Sequence, residues 1–248
     1  MVVAIVSIIF IIVLGLIPSF AWLVFYARED AKHPEPKLLI LYTFLLGAAV
    51  TFAVLPVQLF VNKYFLNAIG AGNYTLPSFL VLGLIEEFFK FLVVYLFIHK
   101  RREFDEPLHA MIYMIVAALG FAAVENIASL FQVSSGSIFN IAILESLSLR
   151  FVGATLLHTI ASGVLGYYWA KAFVKGTTRY YLDHKREIKL ISFGMLIAVV
   201  LHAVFNYLII TTGPATIAIA YVVFIAFFLL SDFEKYKQED IVSTKDAG

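Results

Sequence analysis

The chain has 248 residues, of which 62% are hydrophobic and only 14% are charged. A soluble domain carries about 25% charged residues, so the apolar surface exceeds what one globular core can hide and we expect lipid to be its solvent. The net charge of +1 gives no basis for nucleic-acid binding, and the lack of cysteine excludes disulfides, cysteine-bound metal and thiol nucleophiles.

The apolar runs predict an all-α, polytopic transmembrane helical bundle, because a helix needs about 20 apolar residues to cross the hydrocarbon. Seven spans are predicted, at residues 2–27, 38–61, 77–98, 108–131, 151–173, 189–211 and 215–230. Residues 138–150 form either an interfacial helix or an extension of the fifth span. The first run lacks a positive n-region and a small-residue cleavage site, which predicts a retained helix and not a signal peptide. Residues 1–231 are interpreted as one domain and residues 232–248 as a short cytoplasmic polar tail.

Lysine and arginine are distributed unevenly between the predicted loops. Of the 18 basic residues, 15 lie in the first, third and fifth loops with their flanks, or in the C-terminal tail. The intervening loops hold Lys63 alone. Because cytoplasmic loops are enriched in lysine and arginine, this alternation predicts an outside N-terminus and a cytoplasmic C-terminus.

A few ionisable residues nevertheless lie well inside the predicted spans. They are Glu86, Glu87, Lys90, Glu125, His158 and His202. A charge at mid-bilayer costs at least about 3 kcal/mol, so such residues face a bundle interior and mark a site. At 1.5 Å per residue, the acidic and histidine positions of the four helices lie about 9–14 Å below the outer boundary, and we expect them to form one cluster.

Helical spacing and charge give this cluster further properties. Glu86 and Lys90 stand at i,i+4, as do His202 and Asn206, so each pair can interact. Three carboxylates and one lysine leave two uncompensated negative charges, which a low-dielectric site does not tolerate. Protonated carboxyls, two imidazolium ions or a bound divalent cation would each relieve them.

Four short segments resemble, in order and on separate helices, the motifs of the PrsW family of intramembrane proteases. Residues 86–90 read E-E-F-F-K and resemble its E-E-x-x-K motif. Residues 121–126 read F-A-A-V-E-N and are similar to its F-x-x-x-E-N segment. His158, and His202 with Asn206 as H-x-x-x-N, stand where two later motifs are expected.

The related group of CAAX prenyl proteases and their bacterial relatives has a similar layout but carries E-E-x-x-x-R and F-x-x-x-H. Here the basic residue, Lys90, comes one position earlier, and the second motif ends in Glu125. These departures favour the PrsW family and argue against prenyl-protein processing.

The resemblance implies an endopeptidase of the prokaryotic plasma membrane that cuts a membrane-anchored, single-pass protein, such as an anti-sigma factor, near the extracytoplasmic face. It also implies the site residues, which are the essential pair Glu86 and Glu87, the further residues Glu125, His158 and His202, and the supporting residues Phe121, Lys90 and Asn126. For peptide hydrolysis, Glu86 is our candidate for the base that activates water, with Glu87 in support. Asn206 and one imidazole are candidates for stabilising the oxyanion.

The cofactor stays open between none and one divalent cation such as zinc, because glutamate and histidine are acceptable zinc ligands. The possible ligands are Glu86, Glu125, His158 and His202. The chain has no Ser-His-Asp order and no H-E-x-x-H motif, which disfavours a serine triad or a zincin. The alternative function is a proton- or ion-coupled transporter, although the chain lacks the internal repeat typical of that class. A third hypothesis is a non-catalytic membrane scaffold.

The predicted orientation can be tested with single cysteines, since the chain has none of its own. Thr212→Cys should react with an impermeant thiol reagent added to intact cells, because its loop is predicted to be outside. Asp105→Cys should react only after the cells are lysed. Labelling of Asp105→Cys in intact cells would show that the orientation is the reverse.

Overall fold

The computed structural model describes residues 2–29, 35–71, 74–134, 141–175, 180–212 and 215–245. Within these ranges the chain forms eight α-helices, which confirms the predicted all-α bundle. They are α1 (Val2–Glu29), α2 (Lys37–Val61), α3 (Leu76–Phe97), α4 (Pro107–Val133), α5 (Ile141–Leu149), α6 (Thr155–Ala170), α7 (His184–Thr211) and α8 (Ala215–Lys245).

Five helical segments of the described chain are long and apolar enough to cross a membrane. They are Ile5–Tyr26, Lys37–Leu66, Pro107–Val133, Ile141–Ala170 and His184–Thr211. Helix α3 has 22 residues, a sufficient length, but it carries Glu86, Glu87 and Lys90. The apolar part of α8, Ala215–Leu229, is shorter. From there α8 continues to Lys245, so most of the segment predicted as a polar tail extends this helix.

Helices α5 and α6 are two parts of one helical segment. The π-helical turn Arg150–Ala154 joins them, and the residues on either side, Leu149 and Thr155, keep right-handed helical dihedral angles. Of the two alternatives for residues 138–150, the structure therefore supports an extension of the fifth span for residues 141–150, and residues 138–140 lie outside the described part of the chain. A π-helical turn holds one residue more than an α-helical turn, so it changes which side chains share a face.

Two short strands lie between α6 and α7, where the sequence predicted only a polar loop. Strands β1 (Phe173–Lys175) and β2 (Tyr180–Leu182) pair antiparallel. The fifth span was predicted to end at Phe173, but α6 ends three residues earlier and Phe173 begins β1. Asp183 then caps α7, because its side chain accepts hydrogen bonds from the first backbone N–H groups of that helix.

Helix α4 is the centre of the bundle and packs against α1, α2 and α6. Its contact with α2 is a contact of backbones. A Cβ atom on Gly47 would lie 2.0 Å from the carbonyl oxygen of Ala117, and one on Gly120 would lie 1.9 Å from that of Phe44. Gly166 of α6 meets the backbone of α4 on another side, with a Cβ distance of 2.7 Å. Small residues therefore bring three helices to close contact, as is common in membrane bundles.

Helix α3 lies beside this centre, between α2 and α7, and also touches α4 and α6. Its charged turn consequently faces four neighbouring helices instead of lipid. The outward face of α3 is apolar and carries the exposed side chains Leu84 and Phe88. This position explains how one helix can hold three charges and still belong to a membrane-embedded bundle.

The close contact between α2 and α4 predicts that Gly120→Val destabilises the fold. Any Cβ at this position meets a backbone carbonyl, which can move only if α2 moves, and overpacking of this kind costs about 1–3 kcal/mol or more. Thermal unfolding in detergent should show a lower midpoint. Gly83→Ala is the control, because its Cβ would lie at an ordinary 3.5 Å from the His202 side chain. Equal midpoints for Gly120→Val and the wild type would contradict the contact.

Candidate active site

Glu86, Glu87 and Lys90 lie on one turn of α3 and are buried, Glu87 and Lys90 completely. The Lys90 ammonium pairs with Glu87, with Nζ 2.7 Å from Oε1, whereas Glu86 Oε2 is 4.0 Å from Nζ. The i,i+4 pairing of Glu86 with Lys90 predicted from spacing is thus the looser of the two contacts. The Lys90 ammonium also lies 4.5 Å from the centre of the Phe121 ring, which adds a cation–π contact.

Glu87 connects three helices through its carboxylate. Oε1 accepts a hydrogen bond from Lys90 and lies 3.0 Å from His202 Nδ1 of α7. Oε2 accepts a hydrogen bond of 2.8 Å from the Ser162 hydroxyl of α6. Both oxygens therefore accept hydrogen bonds, and Glu87 is better suited to orienting its neighbours than to acting as a base.

Glu86 differs from Glu87 in having one carboxylate oxygen without a hydrogen bond. Oε1 accepts a hydrogen bond of 2.8 Å from Gln58 Nε2 of α2. Oε2 is buried and has no hydrogen-bond partner among the residues that the structure describes. His202 Nε2 lies 3.4 Å from it without forming a hydrogen bond.

The two sides of the His202 ring face different carboxylates. A carboxylate only accepts hydrogen bonds, so Nδ1 must carry the proton that is shared with Glu87. In the neutral ring Nε2 then presents a lone pair to Glu86 Oε2. Two acceptors facing each other in a buried site repel, and a proton or a cation between them relieves the repulsion.

His158 of α6 has partners at both ring nitrogens. Nδ1 is 2.8 Å from the Lys90 ammonium, and Nε2 is 2.8 Å from Glu125 Oε2. Because an ammonium only donates, Nδ1 is the acceptor and Nε2 carries the proton. The neighbours thereby hold His158 in one neutral tautomer, and its ring packs 5.1 Å from that of His202.

Arg150 is part of this site, which the sequence did not indicate. Its guanidinium lies 3.2 Å from Glu125 Oε2 and also donates to the Asn126 side chain. Asn126 is fully buried and donates to Thr155 of α6. Three carboxylates now stand against two basic groups, so the site needs one further positive charge and not the two predicted from sequence.

Asn206 follows His202 by one turn of α7. The hydrogen bond between them that the i,i+4 spacing allowed is not formed, because both nitrogens of His202 face carboxylates of α3. The half-buried Asn206 has no hydrogen-bond partner in the described part of the chain. Its amide is therefore available to a ligand.

The cluster opens towards one end of the bundle. Helix α4 is buried along most of its length, but the Glu125 side chain is 30% exposed and Ala128, one turn later, is exposed. This is the end where α4 finishes and α3 begins. In the predicted topology it is the outer end.

His99 and His109 are separate from this cluster. His109 Nε2 is 2.6 Å from Glu35 Oε1, near the start of α4. His99 follows α3, stacks on Tyr95 with ring centres 4.8 Å apart, and is partly shielded from water, which lowers its pKa. Neither residue contacts Glu86 or Glu87.

Three polar residues that the structure places in the site, Gln58, Arg150 and Thr155, were not predicted from the sequence. Nor was Ser162 predicted as a partner of Glu87. For Gln58 a signal was present, because it is a long polar side chain in the otherwise apolar helix α2. Its distance of 28 residues from Glu86 hid the connection.

Comparisons with known proteins identify the family of the chain. The sequence model of the PrsW family of intramembrane metalloproteases matches residues 35–231. The chain belongs to the PrsW family. Protease PrsW of Geobacillus kaustophilus (strain HTA426) is 33% identical over 170 residues, which cover 68% of this chain and 69% of the relative. Protease PrsW of Clostridioides difficile (strain 630) is 27% identical over 225 residues, or 90% of each chain.

Protease PrsW of Bacillus subtilis (strain 168) is 26% identical over 199 residues, covering 80% of this chain and 82% of the relative. No solved structure gives a significant match. The prediction of an intramembrane protease is confirmed, and the chain is a multi-pass protein of the prokaryotic cell membrane. Since the relatives are proteases, they favour this function over a transporter.

Membership in a family of metalloproteases implies a metal ion, and the site has donors that fit one. Glu86, His158 and His202 offer ligand atoms that all lie within 4.8 Å of one another, and all three residues are buried. Glu86 Oε2 lacks a hydrogen bond and His202 Nε2 faces it, so both atoms are ready to act as ligands. His158 would have to exchange Lys90 or Glu125 for the ion. Glu125, a predicted ligand, is outside this group and holds His158 and Arg150 instead.

These donors predict that purified protein contains close to one divalent cation per chain. The double variant Glu86→Gln/His202→Ala should lose it, because it removes the two available ligand atoms. Elemental analysis by mass spectrometry measures the content directly. The matched control Glu145→Gln/His184→Ala changes two exposed residues outside the cluster and should keep the ion. Equal metal content in both double variants would contradict the assignment.

Proposed function

We propose that the chain hydrolyses a peptide bond of a single-pass membrane protein near the outer face of the membrane, with Glu86 as the base that activates water. The observation that supports this proposal is the buried Glu86 Oε2, which has no hydrogen bond within the described residues and lies opposite His202 Nε2. A carboxylate oxygen in this state is prepared to accept a proton from water. The same oxygen in Glu87 is already bonded to Ser162.

In this proposal Glu86 removes a proton from a water molecule while the water oxygen attacks the carbonyl carbon of the scissile bond. The oxyanion that forms accepts a hydrogen bond from Asn206, whose amide is available. Of the two imidazoles, His202 is the one with a nitrogen left for the substrate, since both nitrogens of His158 are bonded. His202 Nε2 can donate to the oxyanion only when the ring is protonated. Glu86 then returns its proton to the leaving amine as the carbon–nitrogen bond breaks.

The remaining residues keep this arrangement in place. Glu87 fixes the ring orientation of His202, as carboxylates commonly do for histidines at metal sites. Glu125 does the same for His158, and Arg150 holds Glu125. Glu86, His158 and His202 could alternatively hold a divalent cation, which would supply a positive charge that polarises the scissile carbonyl. Glu86 Oε2 would then be a ligand of the ion and not a free base.

The proposed substrate is a membrane-anchored protein such as an anti-sigma factor, and its cleavage would act in signal transduction across the membrane. Two features support this class. The helices around the site expose apolar side chains that suit a lipid surrounding. The opening at Glu125 lies at the predicted outer end of the bundle, at a depth that an unwound segment of a transmembrane helix would reach.

The two glutamates should differ when each is changed to glutamine. Glu86→Gln keeps shape and polarity but removes the base, so cleavage should fall about 10²–10⁴-fold with little change in thermal stability. Glu87→Gln should lower both activity and stability, because the amide lacks the charge that balances Lys90 and has one acceptor oxygen in place of two for Lys90, His202 and Ser162. Cleavage of a single-pass reporter and thermal unfolding in detergent measure the two effects.

Glu145→Gln is the control, since Glu145 is exposed and lies outside the cluster. It should keep both wild-type cleavage and wild-type stability. If well-folded Glu86→Gln protein cleaved the reporter at the wild-type rate, Glu86 would not be the base. If the wild type carried an ion or proton flux that Glu86→Gln abolished, and no proteolysis were seen in either protein, the result would instead support transport.

A further inference from the structure

Gln58 connects α2 to the active-site helix α3. Its Nε2 donates a hydrogen bond of 2.8 Å to Glu86 Oε1 and a longer one of 3.3 Å to the backbone carbonyl of Leu82. Both partners are acceptors, so the side of the amide that faces α3 must be the nitrogen. The orientation of the Gln58 amide is therefore determined by its surroundings.

This contact decides where the second oxygen of Glu86 lies. With Oε1 held by Gln58, Oε2 lies 3.4 Å from His202 Nε2 and 4.0 Å from the Lys90 ammonium. A Glu86 side chain free to rotate would close the gap to Lys90, because opposite charges attract strongly in a low-dielectric interior. An ion pair with Lys90 would engage the oxygen that the base needs.

The position of Gln58 in α2 indicates that its contact with Glu86 does more than fill space between the helices. A long polar side chain in a membrane helix costs free energy unless it finds a partner. Thr51, one polar residue earlier in α2, bonds to the Gly47 carbonyl of its own helix. Gln58 instead bonds to another helix, at the carboxylate that carries out the proposed chemistry.

We propose that Gln58 is a positioning residue of the protease, which holds Glu86 so that Oε2 stays directed at the reacting centre and away from Lys90. This inference rests on the proposed function of Glu86 as the base. It adds a residue from outside the four motif segments and brings α2 into the active site.

The test uses Gln58→Met, which has a similar volume but no donor, and Gln58→Asn, which keeps the amide but is too short to reach Glu86. For both variants kcat should fall about 10–100-fold, as is typical when the partner of an active-site ligand is removed. KM and the thermal unfolding midpoint should stay close to wild type. Thr51→Val removes the hydrogen bond that Thr51 makes within α2 and should change neither kcat nor KM.

A double-mutant cycle separates positioning from packing. In a Glu86→Gln background, Gln58→Met should cause no further loss of residual activity, because the group that it positions is already gone. The same fold-loss in both backgrounds would overturn the proposal, as would wild-type kcat in Gln58→Met and Gln58→Asn. A rise in KM at unchanged kcat would also overturn it, since it would assign Gln58 to substrate binding.

The outcomes also separate this inference from the proposed function. Inactive Glu86→Gln with fully active Gln58→Met overturns only the role of Gln58. Wild-type cleavage by well-folded Glu86→Gln overturns the proposed base and the inference with it.

Discussion

A carboxylate buried in a membrane protein has to be neutralised by groups that are buried with it, and the rest of this site follows from how Glu87 meets that requirement. Its three partners, Lys90, Ser162 and His202, come from α3, α6 and α7. Each of these partners then constrains a further group. Lys90 sets the tautomer of His158, and His202 is left with one nitrogen facing Glu86. Removing a single buried charge would therefore disturb several residues at once.

The same requirement limits the net charge that the site can hold. Arg150 and Lys90 balance two of the three carboxylates, and one negative charge remains. The most economical compensation is a positive charge between Glu86 and His202, where two acceptor atoms face each other. A single proton and a divalent cation are both suited to that position. The site can thus be stable without a metal and still attract one.

Much of this arrangement was predictable from the sequence, and the exceptions have physical causes. Glu86, Glu125, His158 and His202 were predicted to meet because residue depth follows from a fixed rise per residue. The pairing of Lys90 with Glu87 was not predictable, since it depends on how α3 is rotated against α6 and α7. Gln58 was missed because contacts between distant helices leave no local pattern in a sequence.

Arg150 was missed for a different reason. Eight residues of regular α-helix would place it about 80° around from His158, too far to share a face. The π-helical turn between them accommodates one extra residue, which removes about 100° and brings the two side chains to within about 20° of each other. Counting in α-helical turns therefore assigns Arg150 to the wrong side.

The π-helical turn Arg150–Ala154 also makes chain length a determinant of the active site. If one residue were deleted within it, the segment would relax to a continuous α-helix. Helix α6 would stay in place, because Gly166 holds it against α4, and α5 would turn by about 100° about the common axis. Glu125 would then lose its guanidinium although no residue in contact with it had been replaced. In this part of the chain, the number of residues between two side chains matters to the site as much as the identity of those side chains.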